Sequence, residues 1–79
     1  MQITIQIAGN QYTLTPDDIL RAAKSAHPDR IDTFYVEIGG RRFPPTQLIR
    51  VATGTLNRVY SFNARSALIR LGFDVRAQS

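Results

Sequence analysis

The chain has no cysteine, no tryptophan, a single histidine and a single lysine among its 79 residues. Without thiols there is no disulfide, no thiolate nucleophile and no cysteine-based zinc site. His27 has no companion at metal-ligand or triad spacing, and Ser25, Ser61 and Ser66 have no base to activate them. Asp17 and Asp18 are adjacent at a helix start, where exposed backbone amides account for them. No apolar run approaches the roughly 18 residues of a membrane helix. The alternating start Gln2–Ile7 lacks the basic segment and apolar block of a secretory leader. These absences predict a non-enzymatic, cytoplasmic protein with no cofactor, no metal and no membrane association. At this length one small domain is expected over 1–79, with 77–79 as a frayed tail.

What is present is arginine, which supplies nine of the ten cations against six acids, for a net charge of +4. Residues 1–40 carry three cations and five acids, a net −2. Residues 41–79 carry seven arginines and only Asp74, a net +6. A basic half of this kind points to a polyanionic partner.

Local patterns predict the elements. Ile3, Ile5 and Ile7 alternate with Gln2, Thr4 and Gln6, the mark of a strand with one wet face. A turn at 8–11 returns the chain through Tyr12 and Leu14. Thr15-Pro16-Asp17-Asp18 reads as a helix start, with Ile19, Ala22, Ala23 and Ala26 as its apolar stripe and His27-Pro28 as its end. Thr33–Ile38 is a strand that turns at Gly39-Gly40 into Arg41–Phe43. That register sets Arg42 opposite Glu37 and Phe43 opposite Val36, and leaves Arg41 at the tip without an acid. On this strand Tyr35 and Glu37 face outward. Pro44-Pro45 opens a helix over 45–53 that Gly54 closes, with Thr46, Gln47, Arg50 and Thr53 pointing outward. Leu56, Val59, Tyr60 and Phe62 make the next connection too apolar for a free loop, so it is expected to lie on the core. Asn63 is read as the cap of a last helix over 64–71, Gly72-Phe73 as its glycine-terminated end, and 74–76 as a short final strand. The order β-β-α-β-β-α-α-β defines an α+β domain with a mostly antiparallel sheet packed by three helices.

The basic residues make the best functional constellation. Arginine forks bind phosphate oxygens and can read guanine edges. Arg41 and Arg42 on the hairpin, Arg50 on its helix, Arg58 on the connection, and Arg65 and Arg70 on the last helix are therefore candidate nucleic-acid contacts. Three or four of these six are expected to share a face. Thr46 and Gln47 join them, because amides at a helix start can meet a phosphate and a glutamine side chain can address adenine. Tyr35 offers a ring for stacking. The two C-terminal helices are too far apart for the tight turn of a helix-turn-helix.

The stretch Tyr35-Val-Glu-Ile-Gly-Gly-Arg-Arg-Phe-Pro-Pro-Thr-Gln-Leu-Ile-Arg-Val-Ala-Thr-Gly54, then Phe62-Asn-Ala, then Leu68-Ile-Arg-Leu-Gly-Phe-Asp-Val75, resembles a known pattern. It is similar to the N-terminal DNA-reading domain of modification-dependent HNH restriction endonucleases of the McrA type, and to small stand-alone bacterial proteins of the same pattern. The likeness covers roughly 33–76. It differs in having Thr46 where a lysine is usual, and in lacking a tryptophan. What the resemblance implies is a DNA-reading module, taking duplex DNA as its partner and reading sequence or a modified base. The alternative left open by the residues is a protein-interaction module, an accessory subunit or regulator docking through its sheet or the Ile69 region, or a homodimer joined at a sheet edge.

Overall fold

The fold is taken from a computed structural model, which describes residues 1–78. Its elements follow the expected order: β1 (Ile3–Ile7), β2 (Asn10–Leu14), α1 (Pro16–Ser25), β3 (Phe34–Ile38), β4 (Arg41–Phe43), α2 (Pro45–Thr53), α3 (Ser61–Arg70) and β5 (Arg76–Ala77). The strands form two antiparallel sheets, β1-β2 and β4-β3-β5. The protein is thus an α+β domain of five strands and three helices among the described residues.

Each boundary has a local cause. Ala8 and Gly9 both take positive φ, which gives the two-residue turn that the right-handed strand twist favours. Thr15 caps α1, with Asp18 reaching back to the Thr15 amide in a reciprocal capping box. Gly54 ends α2 in the left-handed conformation at φ 71°. After α3, the Phe73 amide donates to the Leu68 carbonyl at 2.9 Å, folding Phe73 back onto the core as its sequence context predicts.

The core is shared by all three helices and both sheets. Ile19, Val36, Phe43, Leu48, Ile49 and Leu68 are fully enclosed, with Ile3, Ile7 and Leu14 closing it from β1-β2. The register places Val36 opposite Phe43 and Glu37 opposite Arg42, as the glycine turn requires.

Four expectations are corrected. Tyr35 faces away from the core but is only 8% exposed. The Arg42 guanidinium lies 4.4 Å from its ring centroid, and Arg76 is its cross-strand partner on the other side. Strand alternation sets the side a residue faces, whereas long neighbouring side chains decide whether it is covered. Gln47 points inward rather than outward. The helix α3 starts at Ser61, with Tyr60 rather than Asn63 at its cap position, and of the four apolar residues expected on the core only Val59 packs there: Leu56 is exposed, and Tyr60 and Phe62 are 60% and 70% exposed. Finally, the expected tail is tied down in part. Ala77 pairs with Phe34 in β5, and the Gln78 amide donates to Thr33 at 2.7 Å. Ser79 lies outside the described residues.

Candidate nucleic-acid interface

The hairpin and α2 arginines are engaged by their surroundings. Arg41 reaches back to the C-terminal end of α1, donating to the carbonyls of Ala23 at 2.7 Å and Ala26 at 3.4 Å. A cation there meets the negative end of the helix dipole. Arg41 has no acid partner among the described residues, as its place at the hairpin tip predicts. Arg42 pairs with Glu37 at 3.6 Å and stacks on Tyr35. Arg50 pairs with Asp29 at 2.9 Å. These two pairs are exposed, so each adds little stability, but each sets a negative charge beside the cation.

The candidates at the start of α2 differ from expectation. Gln47 is 5% exposed; its amide nitrogen donates to the His27 carbonyl at 2.6 Å and its oxygen accepts from the Asp29 amide at 2.8 Å. It braces the connection between α1 and β3 and has no free edge for a base. Thr46 is half-buried in a hollow lined by Asp29 and Asp32, two carboxylates that disfavour a phosphate, and also by Arg30, Arg58 and Tyr60.

Arg58, Arg65 and Arg70 are the remainder, and among the described residues none of them has an acid partner. The stretch from Ile38 to Phe73 contains six arginines and no Asp or Glu at all. Arg58 and Arg70 line one cleft of about 460 Å³ between β1 and α3. Its lining combines apolar Ile5, Ile7 and Val59 with polar Thr4, Gln6, Asn63 and Ser66, and contains no carboxylate. Tyr60 stands at the same cleft with the Arg58 guanidinium 5.1 Å from its ring centroid.

Arg65 lies on the other flank of α3. Its guanidinium sits 4.0 Å from the Phe34 centroid and 5.9 Å from that of Phe62, and its Nε is buried without a hydrogen-bond partner. A half-buried cation held by rings alone keeps its field uncompensated and favours an incoming anion. The exposed side of α3 therefore runs between Arg65 on one flank and Arg70 on the other. Of the six candidate arginines, the fold brings Arg58 and Arg70 to one cleft, sets Arg65 on the flank of α3 away from Arg70 and over Phe34, which lines a second hollow with Arg58, and sends Arg41, Arg42 and Arg50 elsewhere.

Sequence reasoning missed Tyr60 and Phe62 as surface groups. The available signal was the lack of a polar cap requirement: an extended residue of any kind can open a helix, and here Ala64 donates to the Tyr60 carbonyl at 3.0 Å.

Fold and surface together define a small basic α+β domain with an acid-free cleft flanked by arginine. The chain belongs to the SCO5918-like family, whose model matches residues 3–79. Neither a curated protein nor a solved structure matches it.

Proposed function

We propose that this domain is a non-enzymatic DNA-binding module that holds the phosphate backbone with Arg58, Arg65 and Arg70. The observation that carries this reading is the 38–73 stretch, rich in arginine and empty of acid, with two of its arginines on one cleft whose lining has no carboxylate. Arginine without an internal partner in such a field attracts polyanions and binds phosphate oxygens through its planar fork. The likeness to the DNA-reading domain of McrA-type endonucleases supports the same reading, although of the three arginines only Arg70 lies in one of its matched stretches, Leu68–Val75. Gln47 drops out of the proposed contact set because it is buried, and Thr46 because it is half-buried and uncharged in a hollow with two aspartates; Arg58 also lines that hollow but is exposed and carries its own charge.

The test is a fluorescence-anisotropy titration at several salt concentrations. Wild-type protein should bind DNA at about 50 mM salt, with affinity falling steeply as salt rises. Arg58→Ala with Arg70→Ala should flatten the log–log salt slope by about 0.7–0.9 for each phosphate that is no longer neutralised. Absence of binding at low salt, at protein concentrations of about 100 μM where non-specific binding is normally visible, overturns the reading.

One observation favours a second reading, a protein partner or a second copy of the chain. Among the described residues β1 pairs with β2 alone, so its other edge has no strand partner, and five consecutive residues of β1 and its turn, Thr4–Ala8, line the open cleft where an added strand could pair. Light scattering that gives a dimer mass, undisturbed by the two arginine substitutions, would support this second reading against the first.

A further inference from the structure

Two large aromatic side chains stand in solvent where the chain enters α3. Tyr60 is 60% exposed and Phe62 is 70% exposed. Each carries an arginine that has no acid partner among the described residues: Arg58 lies 5.1 Å from the Tyr60 centroid and Arg65 lies 5.9 Å from the Phe62 centroid. At these exposures one arginine does not cover both faces of a ring. The rings are also held by a helix start, with Tyr60 as the cap residue and Phe62 in the first turn. Ordering them at an interface therefore costs little.

An undistorted duplex offers such rings no base face, because its bases are stacked inside and it presents phosphates and groove edges. A protein that only clamps a duplex backbone needs the arginines and not the aromatics. A single strand presents both chemistries together: phosphates for the cations and open base faces for the rings. We infer that the ligand is single-stranded nucleic acid, with bases stacked on Tyr60 and Phe62 while Arg58 and Arg65 hold the adjoining phosphates. This inference rests on the reading of the domain as a nucleic-acid binder and names the form of nucleic acid it takes.

The experiment compares three labelled probes of one mixed sequence, about 15 nucleotides long, in the range a small single-strand binder covers. They are the single-stranded DNA, the same sequence as RNA, and the DNA annealed to its complement. The variants are Tyr60→Ala and Phe62→Ala, with Tyr60→Leu and Phe62→Leu to keep apolar bulk while removing the ring. The expected result is that at least one of the single strands binds tighter than the duplex. Each ring removal, to Ala or to Leu, should weaken that single strand by about tenfold or more and leave the weaker duplex binding unchanged. Circular dichroism melting of each variant should match the wild type, as these side chains are exposed. A duplex bound as tightly as both single strands overturns this inference alone, as does single-strand binding indifferent to all four substitutions. Failure of all three probes to bind at low salt overturns the DNA-binding reading as well.

Discussion

Gln47 is the clearest case of a polar side chain committed to structure. It satisfies one carbonyl and one amide of the connection after α1 from a position that is itself buried. Gln47→Ala should leave both groups without partners, at about 1–3 kcal/mol. For a domain of this size that lowers the melting temperature by roughly 4–8 °C per kcal/mol, visible by calorimetry. DNA affinity of the folded variant should be unchanged, which separates a bracing role from base contact. Ala8 presents the opposite case. It is the one residue other than glycine with positive φ among those described, at 52°. Its Cβ crowds the backbone there, and Asn tolerates the same conformation. Ala8→Asn creates the Asn-Gly pair that such turns prefer and should raise stability by about 1 kcal/mol, read as an upward shift in melting temperature.

At the level of elements, α1 carries its own pH dependence. The Thr15 amide donates to the Asp18 carboxylate at 2.8 Å and the Thr15 hydroxyl at 3.1 Å, and Arg21 also pairs with it. The backbone hydrogen bond from Thr15 is the main reason the Asp18 carboxyl lies below its ordinary value of 3.8, with the hydroxyl and Arg21 adding to it against a desolvation that pushes the other way. A depressed carboxyl stabilises the fold above its unfolded-state value and loses that contribution as pH falls through the folded one. Asp18→Asn should therefore lower stability by about 1 kcal/mol at neutral pH. The gap to wild type should close as pH drops below 3.8, which urea melts at stepped pH can follow. The start of α3 shows the limit of reading elements locally. Asn63 is a good cap by type, but Ser61, Phe62 and Asn63 already belong to the helix. The extra turn, Ser61 to Asn63, is exposed, and it extends a helix anchored on the core by Ala64, Ala67 and Leu68.

Across the whole molecule, the acids sort the arginines into two sets. Asp29 lies 21 residues from Arg50 in sequence and Glu37 sits across a hairpin from Arg42. Arg42→Ala with Arg50→Ala should leave the salt slope of DNA binding as it is in the wild type, while Arg58→Ala with Arg70→Ala flattens it. Equal effects of the two double variants would show that net charge, and not the acid-free surface, governs binding. The element order and the central register were legible from the chain because they rest on neighbours a few residues apart. Alternation of Ile3, Ile5 and Ile7, the Thr15-Pro16 start and the Gly39-Gly40 turn each act within one turn or one hairpin. The functional surface was legible only as a basic half. Which arginines remain uncompensated depends on carboxylates, helix carbonyls and rings brought from distant parts of the chain. Tyr35, whose outward direction was plain from alternation, is covered by Arg42 beside its cross-strand partner Arg76, while Tyr60 and Phe62, at the cap and first turn of α3, stand exposed. Local pattern is a matter of backbone geometry and hydrophobic period. The availability of a charge or a ring is a matter of non-local neighbours, and those exist only once the helices and sheets have packed.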